Sequence, residues 1–272
     1  MQSAAPGFEQ LKAAMRSTWM AGDFGQIARY SAPEAESFVK RFPIQAGMQI
    51  LDVACGTGNL AIPAARRGAT VTGVDIAPNL IEQAKQRANA EGLAATFEEG
   101  DAEQLPYRDG QFDLVMSMFG AMFAPHPDRV ASELARVCRE GGTIAMANWT
   151  PDGFAAKLFA LTSRYIPSPE GLPPPVLWGD ETTVRQRFGQ SVSTLKMQRR
   201  PFTMSFPFPP RETVQLFREY FGPTRVAYSR LDEVAKAAYT QDLEKLWEER
   251  NQARDGTTFV PNEYLEVVAT KV

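Results

Sequence analysis

The stretch Asp52-Val53-Ala54-Cys55-Gly56-Thr57-Gly58 constrains this chain more than any other. It ends a short apolar run, Gln49 to Ala54, and precedes a helix expected from Asn59 to about Arg67, with Gly68 as its stop. A glycine-rich turn between a strand and a helix leaves backbone N–H groups free at the positive helix end, where a ligand can meet them. Glycine there permits positive φ and a close backbone approach. The same turn can also be a tight connection with no ligand, so the rest of the chain has to decide.

That turn opens an alternation. Thr70 to Asp75 reads as a second strand, Pro78 to Gly92 as a helix, Ala95 to Gly100 as a third strand and Phe112 to Phe119 as a fourth. Asp128 is placed to cap a helix whose apolar face is Val130, Leu134, Val137 and Cys138, closed by Gly141-Gly142; Thr143 to Trp149 follows as a fifth strand. Strands alternating with helices at this pace make a parallel sheet covered on both faces, and the near-continuous apolar strands fit one. Ahead of the sheet, Phe8, Leu11, Met15 and Trp19 recur at helical spacing, and Ser31 with Glu34 reads as a capping box for a helix to about Phe42. Beyond Trp149 the pattern predicts a helix over Phe154 to Tyr165, then a proline-rich connection from Ile166 to Leu177. A short helix over Thr182 to Phe188 and a strand over Val192 to Phe206 come next. Helical structure from Pro210 to about Arg254 and a terminal strand over Leu265 to Val272 complete the chain.

Composition narrows the function. The 272 residues can bury a core without staples, and 29 Lys plus Arg against 32 Asp plus Glu give a net charge of -3. A nucleic-acid binder would carry a basic excess, so Lys196, Arg199 and Arg200 read as a solvated strand edge. Cys55 and Cys138 are too few for a disulfide framework, and with His126 as the single histidine no Cys/His metal site is expected. No apolar run approaches the roughly 20 residues that span a bilayer. The first residues also lack the charged-then-apolar pattern of a secretory signal, so the expectation is a cytoplasmic protein.

Two further acidic residues sit at expected strand ends. Asp75, after the second strand, is placed to accept hydrogen bonds from a ribose diol, or alternatively to cap the helix at Pro78. Asp101, in Gly100-Asp101-Ala102-Glu103, can accept from an adenine amino group while the Ala102 N–H reaches a ring nitrogen; a solvated turn aspartate is the plainer alternative. Ligands of such sheets bind along this rim.

ILDVACGTGNL, VTGVDIAP, EEGDAEQLPY, FDLVMSMFGAMF and RVCREGGTIAMANW, in this order and spacing, resemble the successive motifs of class I S-adenosylmethionine-dependent methyltransferases. The likeness covers about residues 45 to 150 and is nearest to the small-molecule branch that includes the ubiquinone/menaquinone-biosynthesis type. It implies an α/β fold: a Rossmann-like seven-stranded, mostly parallel sheet with an antiparallel last strand, helices on both faces and a helical cap. Residues 1–42 would be a helical lid, 43–206 the cofactor-binding core, 207–256 a substrate-cap insertion and 257–272 the last strand. The cofactor implied is S-adenosylmethionine, leaving as S-adenosylhomocysteine. Gly56 and Gly58 would face its methionine part, Thr57 between them would also bind the cofactor, and Asp52 would order the loop and the amino group. Asp75 would bind both ribose hydroxyls, Ile76 would pack on the adenine, Asp101 and Ala102 would read the adenine edge, and Met118 would lie near the methionine end.

Gly56-Thr57-Gly58-Asn59-Leu60-Ala61 also satisfies G-x-G-x-x-A with Asp75 at about the expected distance, so an NAD(P)-dependent dehydrogenase is the rival reading. Asp52, the Gly100-Asp101-Ala102 turn and the lack of an evident hydride-transfer acid weigh against it. A catalytically silent cofactor-binding regulator is a third. The stretch Ser117-Met118-Phe119-Gly120 lacks the polar–proline–proline–aromatic pattern of nucleic-acid amino-methyltransferases. The expected partner is therefore a small-molecule acceptor, with no nucleic acid and no membrane span; oligomeric state is unspecified. Met118, Phe119, Met122, Phe123, Trp149 and Phe154 suggest an apolar acceptor pocket, with Trp19 and Tyr30 of the lid as further contacts. No catalytic side chain is assigned; His126, beside two prolines, reads as structural.

Overall fold

A computed structural model describes residues 7–169 and 171–272; residues 1–6 of the expected lid lie outside the described residues. The chain starts with helices α1 (Phe8–Met20), α2 (Gly25–Ala28) and α3 (Ala32–Lys40). The core then alternates β1 (Gln49–Val53), α4 (Ala61–Ala65), β2 (Thr70–Asp75), α5 (Pro78–Ala90), β3 (Ala95–Glu99), β4 (Phe112–Met118), α6 (Pro127–Val137) and β5 (Cys138–Trp149). Next come α7 (Phe154–Tyr165), α8 (Glu181–Phe188), β6 (Val192–Phe206), the helices α9 (Pro210–Tyr220), α10 (Gly222–Arg230) and α11 (Glu233–Arg250), and β7 (Thr258–Lys271).

The seven strands form one sheet in the order β3-β2-β1-β4-β5-β7-β6. β7 pairs antiparallel with both β5 and β6, so it alone runs against the other six. The central strands are apolar on both faces because helices cover both, and Ile50, Leu51, Val53, Val115 and Ile144 are fully buried. Strand order reverses between β1 and β4, and the crevice at their carboxyl ends is where open α/β sheets hold ligands.

Four local expectations are corrected. Ser31 makes no capping box: its backbone is already helical (φ -97, ψ -6), because α2 has just ended, and its Oγ donates to Ala28 O. Glu34 turns instead to Arg41 and the Tyr264 hydroxyl, 2.6 Å from each. The helix after the glycine turn is shorter than expected and begins at Ala61, whose N–H donates to Asp52 Oδ2 at 3.0 Å. Asp128 lies in the first turn of α6, where it favours the helix dipole; the cap position is His126, whose carbonyl accepts from Arg129 and Val130. Cys138 is not on a helix face: it opens β5 and pairs with Phe112. Gly141-Gly142 does not close the helix but lies within β5, where the pairing slips between Phe112↔Cys138 and Leu114↔Thr143.

The helices between β6 and β7 build a second core with α7, around Phe154, Phe206, Tyr239, Leu243 and Trp247. The N-terminal helices meet these helices backbone to backbone. A Cβ at Gly222 would stand 2.1 Å from Thr18 O, and one at Gly22 would stand 2.1 Å from Tyr220 O. Neither can be relieved by a side-chain movement. Gly222→Ala is expected to cost about 1–3 kcal/mol, as overpacking does. Differential scanning fluorimetry should then show the midpoint falling by several degrees, and an unchanged midpoint would contradict this close seam.

Candidate functional site: two joined cavities at the strand ends

The glycine turn is pinned from both sides. Asp75 Oδ2 accepts from Gly56 N–H at 2.8 Å and Oδ1 from Ala77 N–H at 2.9 Å, so the end of β2 holds the turn that follows β1. Asp52 holds the start of α4. Both carboxylates are buried, and burial pushes both up; Asp52 reaches about 8, with the neighbouring Asp75 charge adding and the Ala61 N–H opposing.

The sign of the resulting pH dependence is fixed. Folded Asp52 keeps its proton up to about pH 8, whereas an unfolded aspartic acid loses it near about pH 4. The folded state therefore binds the extra proton across that window, and its contribution to stability is lost as pH rises from about 4 to 8. Asp52→Asn carries no such slope. Its melting midpoint relative to the natural protein should rise with pH across the window and level off above it. A difference that stays flat would mean Asp52 is ionised throughout.

These groups line a cavity with an empty volume of about 950 Å³, counting its open mouth. Asp52, Gly56, Thr57, Asp75, Ile76, Asp101, Ala102 and Met118 all lie on its wall. Gly58 does not: its φ of +83 turns the chain beneath the loop, where a Cβ would meet the Phe97 ring at 3.3 Å. Among described residues, the non-glycine positions with positive φ are Ala54 and Phe119, both at 54° and both on this wall. Each follows a strand, β1 and β4, and such conformations cost on the order of 1–3 kcal/mol. Gly120 explains their neighbourhood, since a Cβ there would stand 2.5 Å from Ala54 O.

Asp101 is not a solvated turn residue. Its Oδ1 accepts from Glu103 N–H at 2.9 Å and pairs with Lys12 Nζ of α1 at 2.7 Å. Lys12 also reaches Glu103, at 2.9 Å, and the buried Glu103 carboxylate takes both the backbone N–H and Nδ1 of His126. Neither Lys12 nor Glu103 had been singled out from the sequence: a lysine on an N-terminal helix gives no local sign of a partner 89 residues away.

A second cavity, with an empty volume of about 1010 Å³ counting its mouth, adjoins the first. The two share Trp19, Phe24, Ser31, Phe119 and Phe123. More than half of the second cavity's wall is aromatic, and among the described residues no Asp, Glu, Lys, Arg or His belongs to it. Phe119 stacks on Trp149 with ring centroids 3.5 Å apart. Of the aromatic and Met positions read near the rim, Phe119, Phe123 and Trp149 line this space, as do Trp19 and Tyr30, whereas Met122 and Phe154 are buried in the packing behind. His126 lines neither cavity.

The sheet, with its single reversed strand, is the Rossmann-like architecture of S-adenosylmethionine enzymes. A methyltransferase-domain family model matches residues 50–142. An uncharacterized protein of Mycobacterium tuberculosis is 41% identical over 231 residues, covering 84% of this chain and 84% of its own. The structure of YcgJ from Bacillus subtilis has the same fold, with a TM-score of 0.60 at 16% identity, covering 88% of this chain and 98% of that one. So has Haemonchus contortus phosphoethanolamine N-methyltransferase 2, in complex with phosphomonomethylethanolamine and S-adenosylhomocysteine. There the TM-score is 0.54 at 19% identity, over 88% of this chain and 52% of that one. The chain belongs to the class I S-adenosylmethionine-dependent methyltransferases. Its cofactor is S-adenosylmethionine, and the dehydrogenase reading falls. No helix among the described residues is long and apolar enough to cross a membrane.

Proposed function

We propose that the first cavity holds S-adenosylmethionine and the second an uncharged, largely apolar methyl acceptor. The observation that carries this is the contrast across the shared wall: acidic side chains on three adjacent strand ends on one side, and a wall without ionisable acids or bases of the Asp, Glu, Lys, Arg or His type on the other. The donor and acceptor set fits the cofactor. Asp75 spends part of its roughly four acceptor positions on the backbone N–H groups around it and keeps the remainder for a ribose diol. The space on the Cβ side of Gly56 is open, with Phe24 the nearest group at 3.9 Å.

When bound, S-adenosylmethionine supplies a methyl group already activated by its sulfonium charge. The protein's part is then alignment and exclusion of water. Asp75 holds the ribose, Ile76 the adenine face, and Asp101 with Ala102 the adenine edge. Gly56, Thr57 and Asp52 receive the methionine part, beside Met118, while Gly58 shapes the loop from below. Residues 1–42 act as the lid, 43–206 as the core with its last strand at 257–272, and 207–256 as the acceptor cap. An acceptor carrying a phosphate would find no cation in the second cavity to receive it.

Thermal stabilisation by S-adenosylhomocysteine beside NADH tests the cofactor cavity. A ligand at about 100 times its dissociation constant adds about 2.7 kcal/mol, which at this chain length raises the midpoint by roughly 5–10 °C. A shift with NADH alone would overturn the assignment. Turnover of highly charged acceptors only would overturn the second cavity's role.

A further inference from the structure

Methylating an O–H, S–H or N–H group means disposing of a proton, and among the described residues neither cavity places a side chain to take it. The wall shared by the two cavities is Trp19, Phe24, Ser31, Phe119 and Phe123, in which the one polar side chain, Ser31, already donates to Ala28 O. Deeper in the second cavity, Ser205 and Thr224 carry only hydroxyls, while Thr162 Oγ1 donates to Leu158 O and lies 2.8 Å from the Tyr239 hydroxyl, whose phenol is pushed up to about 12 by burial. The Tyr30 oxygen accepts from Arg29 at 3.0 Å. The acids of the first cavity stand at the ends of β1, β2 and β3 and are engaged with Ala61, Gly56, Ala77 and Lys12. His126 is turned to Glu103.

Building on the two-cavity reading above, we propose that the acceptor is an uncharged, flat molecule whose methyl-accepting atom is acidic in its own right, a thiol, phenol or enol, and that the protein supplies no general base. The acceptor gives its proton to solvent. The lone pair of the resulting anion forms the new bond to carbon as the carbon–sulfur bond breaks, and that bond's electron pair stays on sulfur as the neutral thioether of S-adenosylhomocysteine. One positive and one negative charge disappear together. A wall without charge favours such a step, because no ion is left to be solvated. An amine would instead leave a cation in a cavity that offers it no carboxylate.

Four bicyclic probes of one shape test this: 2-naphthalenethiol, 2-naphthol, 2-naphthylamine and 2-naphthyl phosphate. Trp19, Trp149 and Trp247 line the second cavity, so binding can be followed by tryptophan fluorescence in the cofactor-free protein. Naphthol should quench, and the phosphate should bind at least about 10-fold more weakly. With S-adenosylmethionine, kcat/KM should rise with pH to a plateau set by each acceptor's own ionisation, so the midpoint moves between thiol and naphthol. A midpoint common to both would reveal a protein base and overturn the proposal, as would methylation of the amine as fast as the thiol. Turnover of none of them, with S-adenosylhomocysteine binding intact in calorimetry, would overturn the acceptor class alone. Failure of S-adenosylhomocysteine to bind would overturn the cofactor reading beneath it.

Discussion

Asp75→Ala is expected to weaken S-adenosylhomocysteine binding by about 10-fold or more, since hydrogen bonds to a charged group contribute about 1.5–3 kcal/mol each. The structure adds a second cost: the carboxylate is only 7% exposed and satisfies the N–H groups of Gly56 and Ala77. Leaving two buried donors without their acceptor costs about 1–3 kcal/mol each, so the melting midpoint should fall as well. Asp75→Asn separates the two effects. It keeps the size and one strong acceptor, so most of the stability should return, while the amide nitrogen faces one donor it cannot accept from. Affinity in calorimetry should stay low for Asn and Ala alike. Full affinity in the Asn variant would mean that the ribose contact lies elsewhere.

What was legible in the sequence was what short-range rules encode. Val192–Phe206 and Thr70–Asp75 were read at their observed bounds because turn residues flank runs rich in strand formers. The first-cavity residues share a rim because each lies at or a few residues beyond the carboxyl end of a strand. Misreadings came where a distant group outbid a local one. Ser31 and Glu34 have the spacing of a capping box, yet a preceding four-residue helix claims the serine and Arg41 and Tyr264 claim the glutamate. Cys138 continues the apolar periodicity of α6, but pairing with Phe112 draws it into the sheet. The positive φ of Ala54 and Phe119 has no local signature, since it is imposed by the close approach of the two strand ends at Gly120. Those backbone positions turn Phe119 toward Trp149 and so help divide the first cavity from the second.

Lys12→Met should be among the most destabilising of the changes considered, because it removes the ammonium from two carboxylates that the fold has taken out of water. The Lys12 side chain is 9% exposed and that of Glu103 is fully buried, with Asp101 partly open to the cavity. Breaking a buried pair by deleting one partner costs about 3–5 kcal/mol, chiefly from the charge left behind. A fall of the midpoint on the order of 10 °C follows for a domain of this size. The same cost predicts its own remedy. Adding Glu103→Gln to Lys12→Met removes one stranded charge, so the double variant should be more stable than Lys12→Met alone, a coupling that a double-mutant cycle reads directly. The contact also joins α1 to the turn that carries Asp101, so Lys12→Met should loosen α1 and speed tryptic cleavage at Arg16. Saturating S-adenosylhomocysteine should slow that cleavage again if the lid closes over the adenine end. Cleavage unaffected by the ligand would place α1 outside the binding event, and a double variant no more stable than the single one would show that stranded charge is not what Lys12 prevents.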